Sequence, residues 1–228
     1  MMYMSGKKYR FVHSNDSMLG QSTSYNNIVF SGTISFISIV FQPLGSMLLL
    51  KTPINEMNNQ SIAIDSLGDK LLVELEKCIL DSMNDMACIS LIERFLLKRI
   101  YQTDKLNHKR LTAVIQSINN RQSSISELAE LSSLGYKQFK RVFSEYIGIN
   151  PKDFLRVARF QKASNTLQMR PQTTLNQLAD ACNYYDVSHL IKEFKEFSGY
   201  TPGEYVSICD PYSNYHSLFR SAYIDVKD

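Results

Sequence analysis

Two stretches in the last half of this 228-residue chain repeat one pattern of apolar, glycine and proline positions. The first runs Ile125, Leu128, Ala129, Phe143, Gly148, Pro151 and Phe154; the second runs Leu175, Leu178, Ala179, Phe194, Gly199, Pro202 and Tyr205. The offset between copies is 50 from Ile125 to Ala129 and 51 from Phe143 onward, so the second copy holds one inserted residue, which falls in the turn. Apolar residues three and four apart, a short turn, and a second amphipathic helix closed by glycine form the sequence pattern of a helix-turn-helix. Two such units in tandem constrain this half of the chain to helices. They also suggest a reader of two neighbouring DNA grooves.

Helices are expected near residues 111–121, 125–132, 136–147, 151–168, 175–182, 187–197 and 202–208. Pro151 and Pro202 suit first helical turns, each after a glycine that ends the preceding helix. The repeat claims about the last hundred residues, so two domains are the default for this length. The net charge of +3 is too mild to identify a nucleic-acid binder by itself. Residues 111–206 carry 11 Lys/Arg against 9 Asp/Glu, so any basic surface must come from placement.

Upstream, Lys7 to Phe41 is rich in Tyr, Phe, Ile, Val, Ser and Thr and favours short strands, with Thr33–Phe41 the clearest. Gln42-Pro43-Leu44-Gly45 stops that strand with a turn, and residues 46–58 fit a short helix or a strand equally. Beyond Gly68 the period becomes helical, with one stripe at Leu71, Leu72, Leu75, Cys78 and Ile79. A second follows at Ile89, Ile92, Phe95, Leu96, Arg99 and Ile100. The two helices fit a hairpin. The polar stretch Gln102–Arg110 is the expected linker, and the tail after Cys209 has no clear period. The expected fold class is therefore α+β, a small β-rich region with a helical hairpin followed by an all-α tandem helix-turn-helix domain.

The repeated blocks, together with Arg159, Phe160 and Ala163 in the connecting helix, resemble the DNA-binding domain of AraC/XylS-type transcription regulators. The resemblance covers about residues 110–207. It implies two small helical subdomains joined by one long helix, each placing a recognition helix in one of two successive major grooves. The sequence before Arg110 looks like the later part of the sensory domain of some bacterial regulators of this family, a small β-barrel followed by a helical dimerisation unit. Only about 65 residues precede the first long helix, short for a complete eight-stranded barrel. A reduced sheet, a chain that starts inside a once longer domain, and a sheet completed by dimerisation all stay open. The expected division is 1–108 for the sensory or dimerisation domain, 109–209 for the DNA-binding domain and 210–228 for the tail.

Carried over position by position, the family's DNA-facing sites fall in the first copy on Tyr136, Lys137, Gln138, Lys140 and Arg141. Lys137, Lys140 and Arg141 share one face, opposite Phe139, Val142 and Phe143. Arg and Lys donate to guanine O6 and N7 or to phosphate, and Gln serves adenine. Arg141 is the expected base reader. On an arbitrary surface helix three cations usually do no more than solvate it; the duplicated context reverses those odds. The second copy offers Asp186, Val187, Ser188, His189 and Lys192. Here the chain departs from the family, where a polar amide or Ser is common at the position of Val187, glycine at Asn183 and a small N-cap residue at Tyr185. Asp186 fits a helix cap, a cytosine contact or a phosphate repellent; Val187 fits a thymine methyl or no contact. Lys192 is expected to hold backbone. Arg156, Arg159, Lys152 and Lys162 form a basic stripe on the joining helix, with Arg159 expected to buttress the two subdomains.

No catalytic set is legible: His13, His108, His189 and His216 are scattered and no Gly-rich phosphate loop is present. The chain reads as a non-enzyme without cofactor or metal. Cys78, Cys88, Cys182 and Cys209 are too far apart for a metal-binding pair, and each lies in or beside an apolar helical pattern that predicts a buried thiol. No apolar run approaches the roughly 20 residues of a membrane span, so a cytoplasmic protein is expected. The leading reading is a sequence-specific transcription regulator, an activator by family implication, with double-stranded DNA as partner. The resemblance adds RNA polymerase, a homodimer and an unidentified small-molecule effector. The alternative is a degenerate helix-turn-helix module that works as a protein-interaction regulator without specific DNA binding.

Overall fold

The computed structural model describes residues 2–4, 7–9, 17–25, 37–49, 54–99, 105–120 and 123–208. Its N-terminal part holds two antiparallel ribbons, β1 (Met2–Met4) with β2 (Lys7–Tyr9), and β3 (Ser17–Leu19) with β4 (Ser61–Ala63). Met18 lies opposite Ile62, and both pack with Ile64, Leu67 and Phe95 on the buried Met57 and Leu72. The chain after β3 is stitched to the segment before β4. Gly20 N–H donates to the Gln60 carbonyl at 3.0 Å, Asn59 N–H to the Gln21 carbonyl at 2.9 Å, and Thr23 N–H to Asn59 Oδ1 at 2.9 Å.

Helix α1 (Gly45–Leu49) follows the expected turn, closed by Gly45 N–H to the Gln42 carbonyl at 2.7 Å, and a 3-10 turn spans Ile54–Met57. The expected hairpin is formed by α2 (Lys70–Leu80) and α3 (Asp85–Arg99), which pack on each other. Asp69 begins it. Its carboxylate caps α2 by accepting from Leu71 and Leu72 N–H, and takes both terminal nitrogens of Arg99 at 2.7 Å. One side chain thus fixes the start of α2 against the end of α3, and Arg99 also stacks over the Phe95 ring at 4.3 Å.

Three expectations here are corrected: the strand at 33–41, the linker at 102–110 and the buried thiol at Cys78. Of the strand read at Thr33–Phe41, residues 33–36 lie outside the described part, while 37–41 form no strand. Ile37, Ile39 and Val40 stand exposed. β-branched composition gives a strand only where a partner strand exists, and among the described residues 37–41 have none. The polar stretch at 102–110 is not a linker throughout, since α4 (Lys105–Asn120) begins inside it. Lys105 to Arg110 hold no Gly or Pro, and the helix they open carries the fully buried Leu111 and Val114. Of the cysteines, Cys88 and Cys182 are buried, Cys78 is exposed on α2, and Cys209 lies outside the described residues.

The C-terminal helices are α5 (Ile125–Leu131), α6 (Tyr136–Ile147), α7 (Pro151–Met169), α8 (Leu175–Ala181), α9 (Val187–Ser198) and α10 (Pro202–Ile208). Their ends are written locally. Ser124 and Glu127 close a capping box on α5, Thr174 and Gln177 repeat it on α8, and Asn150 caps α7 with Pro151 in its first turn. Two cores result. Leu111, Val114, Leu128, Phe139, Phe143, Ile147 and Phe154 fill the first; Ala163, Leu167, Leu178, Leu190, Phe194 and Tyr205 fill the second. The repeat survives as geometry: Phe143 meets Phe154 edge-on at 5.4 Å, and Phe194 meets Tyr205 edge-on at 5.1 Å.

The N-terminal part rests on this domain at matching places. α6 ends on Gly148 at φ 96° and α9 on Gly199 at φ 80°. Both need the left-handed backbone that glycine accepts, and both are also close contacts. A Cβ on Gly148 would stand 2.8 Å from Ile54 Cγ2, and one on Gly199 would stand 3.2 Å from the Tyr25 ring. Tyr25 N–H donates to the Glu196 carbonyl at 3.2 Å, and Leu44 and Met47 join the first core.

Asp69→Ala should destabilise the hairpin by about 3 kcal/mol, since it removes a cap and strands the buried Arg99 guanidinium. The hydrogen bond from Arg99 holds the Asp69 carboxyl below its ordinary range. A depressed carboxylate stabilises fully above its unfolded value of about 4 and loses that contribution as pH falls through the lower folded value. Denaturant titrations of wild type and variant should therefore converge in acid. Curves that stay parallel down to pH 2 would show that Asp69 does no such work.

Candidate nucleic-acid interface

The two helix-turn-helix units are α5–α6 and α8–α9, and their turns begin identically. Ser132 and Cys182 close the first helices; Ser133 and Asn183 both take left-handed backbone, at φ 54° and 59°. Asn tolerates this conformation well, which explains how it replaces the family's glycine. Leu134 and Tyr184 then bury, each donating its N–H to the carbonyl of Ala129 or Ala179. After them the copies diverge. Gly135 is the N-cap of α6, whereas Asp186 is the N-cap of α9, so Tyr185 is the inserted residue, and it is 91% exposed. Of the roles open to Asp186 on sequence grounds, the helix cap is the one formed: its Oδ1 accepts from His189 N–H at 2.6 Å.

On α6, Tyr136, Lys137, Gln138, Lys140 and Arg141 are all exposed, while Phe139, Val142 and Phe143 are buried on the opposite side. The Lys140 ammonium lies over the Tyr136 ring at 5.7 Å, and Arg141 Nη1 pairs with Glu145 Oε1 at 2.9 Å. That pair is one turn apart and solvated, worth about 0.3–0.5 kcal/mol, so it yields readily to a better acceptor.

On α9 the five residues do not form one such face. Asp186 is spent as the cap. Val187 is half-buried and packs on the second core. His189 is half-buried, its ring edge-on to Tyr184 at 5.4 Å and its Nε2 3.4 Å from Glu193 Oε1. Only Ser188 and Lys192, one turn apart, point outward together, with Lys195 exposed beyond them. Asp180 and Asp186 line a shallow depression with Asn176 and Ser188 between α8 and α9, which is unsuited to phosphate. Charge follows the same division: residues 105–150 carry 7 Lys/Arg against 3 Asp/Glu, and residues 170–206 carry 3 against 5.

Glu193 is the residue that motif reading missed. It sits 51 positions after the buried Val142, so a carboxylate occupies a core position of the second reading helix, 4% exposed. It accepts from Arg156 Nε at 2.7 Å and from Arg159 Nη2 at 3.0 Å, both on α7. Arg156 also donates to Glu196 Oε2 at 2.7 Å and stacks on the Phe197 ring, while Arg159 stacks on the Tyr184 ring at 4.9 Å. The hydrogen bonds it donates to Glu196 and Glu193 hold the Arg156 guanidinium even more firmly protonated than usual. Half of the basic stripe on α7 is thus committed inside the protein, and Arg159, expected to buttress the two subdomains against each other, instead ties α7 to α9 and Tyr184 within the second unit. Lys152 and Lys162 remain exposed. The signal for Glu193 was present in the repeat, as an acid aligned with an aliphatic residue.

Glu193→Ala should cost about 3 kcal/mol of stability, because it removes the buried carboxylate that Arg156 and Arg159 share and leaves their positive charges side by side. Arg141→Ala should stay within about 0.5 kcal/mol of wild type. Equilibrium unfolding in urea measures both, and equal losses would mean that the ion cluster does not hold α9 to α7.

A family model described as a helix-turn-helix domain matches residues 107–207, and one described as a domain of unknown function matches residues 2–63. Among curated proteins, an uncharacterized HTH-type transcriptional regulator of Haemophilus influenzae is 27% identical over 172 residues, covering 75% of this chain and 54% of that protein. The probable transcriptional regulator LumQ of Photobacterium leiognathi is 22% identical over 209 residues, covering 88% of this chain and 79% of LumQ. The match thus spans about half the length of the Haemophilus protein. Among solved structures, the C-terminal domain of the response regulator yesN from Fusobacterium nucleatum is 23% identical, covers 45% of this chain and 99% of that one, and has a TM-score of 0.40. The DNA-binding domain of AdpA, solved with a target DNA, is 20% identical, covers 46% of this chain and 92% of that one, with a TM-score of 0.40. With the tandem units, the joining helix and the matched model in agreement, residues 107–207 are a helix-turn-helix domain of the AraC type.

Proposed function

We propose that this protein is a sequence-specific DNA-binding transcription regulator whose two reading helices contribute unequally. The observation that carries the reading is the contrast between α6 and α9. α6 presents Lys137, Gln138, Lys140 and Arg141 on one solvent face; α9 turns Val187 inward, uses Asp186 as its cap and ties His189 to Glu193. In a helix-turn-helix the first residues of the second helix meet base edges, and bidentate donors choose the base. Arg141 is the principal reader, Lys137 and Lys140 engage guanine or phosphate, and Lys192 is a phosphate anchor for the second half-site. Relatives named as transcriptional regulators support a role at promoters. The resemblance to AraC/XylS-type regulators implies further that the protein acts as an activator that touches RNA polymerase.

The N-terminal part supplies dimerisation in this reading. On the hairpin Leu72 and Ile92 turn inward, while Met86, Ile89 and Leu97 on α3 stand exposed with Met83 before it, apolar side chains that a second copy would cover.

Selection from a random DNA pool tests the reading. A single enriched motif with unequal halves is expected, whereas an unenriched pool would favour a protein-interaction module. On the selected site Arg141→Ala should lose roughly 1–3 kcal/mol and relax base choice in one half. Lys192→Ala should weaken selected and scrambled DNA alike and lower the salt slope by about 1. If Lys192→Ala is the variant that relaxes specificity, the assignment of reader and anchor is reversed.

A further inference from the structure

We propose that Tyr185, the residue inserted in the second turn, is a specificity-determining contact of α9, packing its ring on the 5-methyl group of a thymine. The proposal rests on the DNA-binding reading above and adds a contact that the repeat pattern does not supply. In the first unit the chain passes directly from the buried Leu134 to the N-cap Gly135; in the second, Tyr185 stands between the buried Tyr184 and the N-cap Asp186. Its backbone is fixed on both sides. Tyr184 N–H is bonded to the Ala179 carbonyl, Tyr185 N–H donates to His189 Nδ1 at 3.5 Å, and Asp186 caps the helix. The ring itself is 91% exposed at the leading end of the helix that a helix-turn-helix offers to the groove.

The remaining residues of α9 leave this position a distinct task. Val187, which on sequence grounds fits a thymine methyl, packs on the second core. Ser188 and Lys192 provide polar contacts only. An apolar surface for a methyl group is therefore offered at the front of α9 by Tyr185, and apolar side chains recognise thymine through that methyl. The first unit also leads with a tyrosine: Tyr136 opens α6, 49% exposed and partly covered by the Lys140 ammonium.

The experiment uses the intact protein and the DNA site selected above, with each thymine of the half-site bound by α9 replaced in turn by deoxyuridine, which removes only the methyl. At one position the wild type should lose about fourfold in affinity, the worth of one buried methyl. Tyr185→Ala should bind the unmodified site more weakly by at least as much and show no further loss at that deoxyuridine. Tyr185→Phe should keep the wild-type response, since the ring is what makes the contact. All variants should melt with the wild type, because the ring touches little of the protein. Independent losses for Tyr185→Ala and deoxyuridine, or an affinity for Tyr185→Ala equal to wild type, overturn the contact. Arg141→Ala in the same assay separates the two readings. If it loses specific binding while Tyr185→Ala does not, only the Tyr185 contact falls; if the wild type has no preferred site, the DNA-binding reading falls and the contact with it.

Discussion

Everything in the C-terminal half depends on α7 passing through both cores. Phe154 and Val157 from its first half lie in the first core, and Ala163 and Leu167 from its second half lie in the second. Its 19 residues span about 28 Å, comparable to the roughly 34 Å that separates successive major-groove faces. Burial at both ends makes the helix a spacer whose length cannot change without emptying a core. Phe160 and Phe197, stacked at 5.3 Å, fill the space between the two cores, with Phe160 on the second and Phe197 on the first.

A spacer fixes separation but leaves rotation, and the Glu193 cluster supplies that second restraint. Apolar contacts tolerate sliding because they are non-directional; a carboxylate held by two guanidinium groups has defined angles. A buried ion pair contributes little net stability against an apolar substitute, because desolvation offsets most of the attraction. The first reading helix shows that the fold manages with Val142 at the matching position. What Glu193 adds is orientation of α9 relative to α7, at the price of committing Arg156 and Arg159 to the interior.

The helical half was legible almost residue by residue because its signals are local and repeated. The capping pairs Ser124–Glu127 and Thr174–Gln177, Pro151 and Pro202, and the glycines at 148 and 199 each mark an end without reference to anything distant. Residues 37–41 failed for the opposite reason, since β composition states a preference that only a partner strand realises, and no local residue specifies the partner. The start of α4 was obscured because a polar exposed first turn and a polar linker look alike; Leu111 and Val114 reveal the helix only once their burial is known. At the candidate interface, the exposed face of α6 followed from helical spacing alone. On α9 the packing of Val187 and the seat of His189 against Tyr184 and Glu193 are set by the folded surroundings, whereas the Asp186 cap is local and stood among the roles open to it in the sequence.

The placement of Ile54 on Gly148 and Tyr25 on Gly199 gives the N-terminal part a hold on the rear of both reading helices at once. It acts as a splint across the C-terminal ends of the two helices. Because segment 20–25 is itself hydrogen-bonded to segment 57–60, the two footholds move as one piece. On the proposed DNA-binding reading, substitutions at Tyr25, Ile54 and the two glycines would disturb operator recognition without any of these residues facing DNA. Those positions would report the alignment of the readers rather than anything they touch on the double helix.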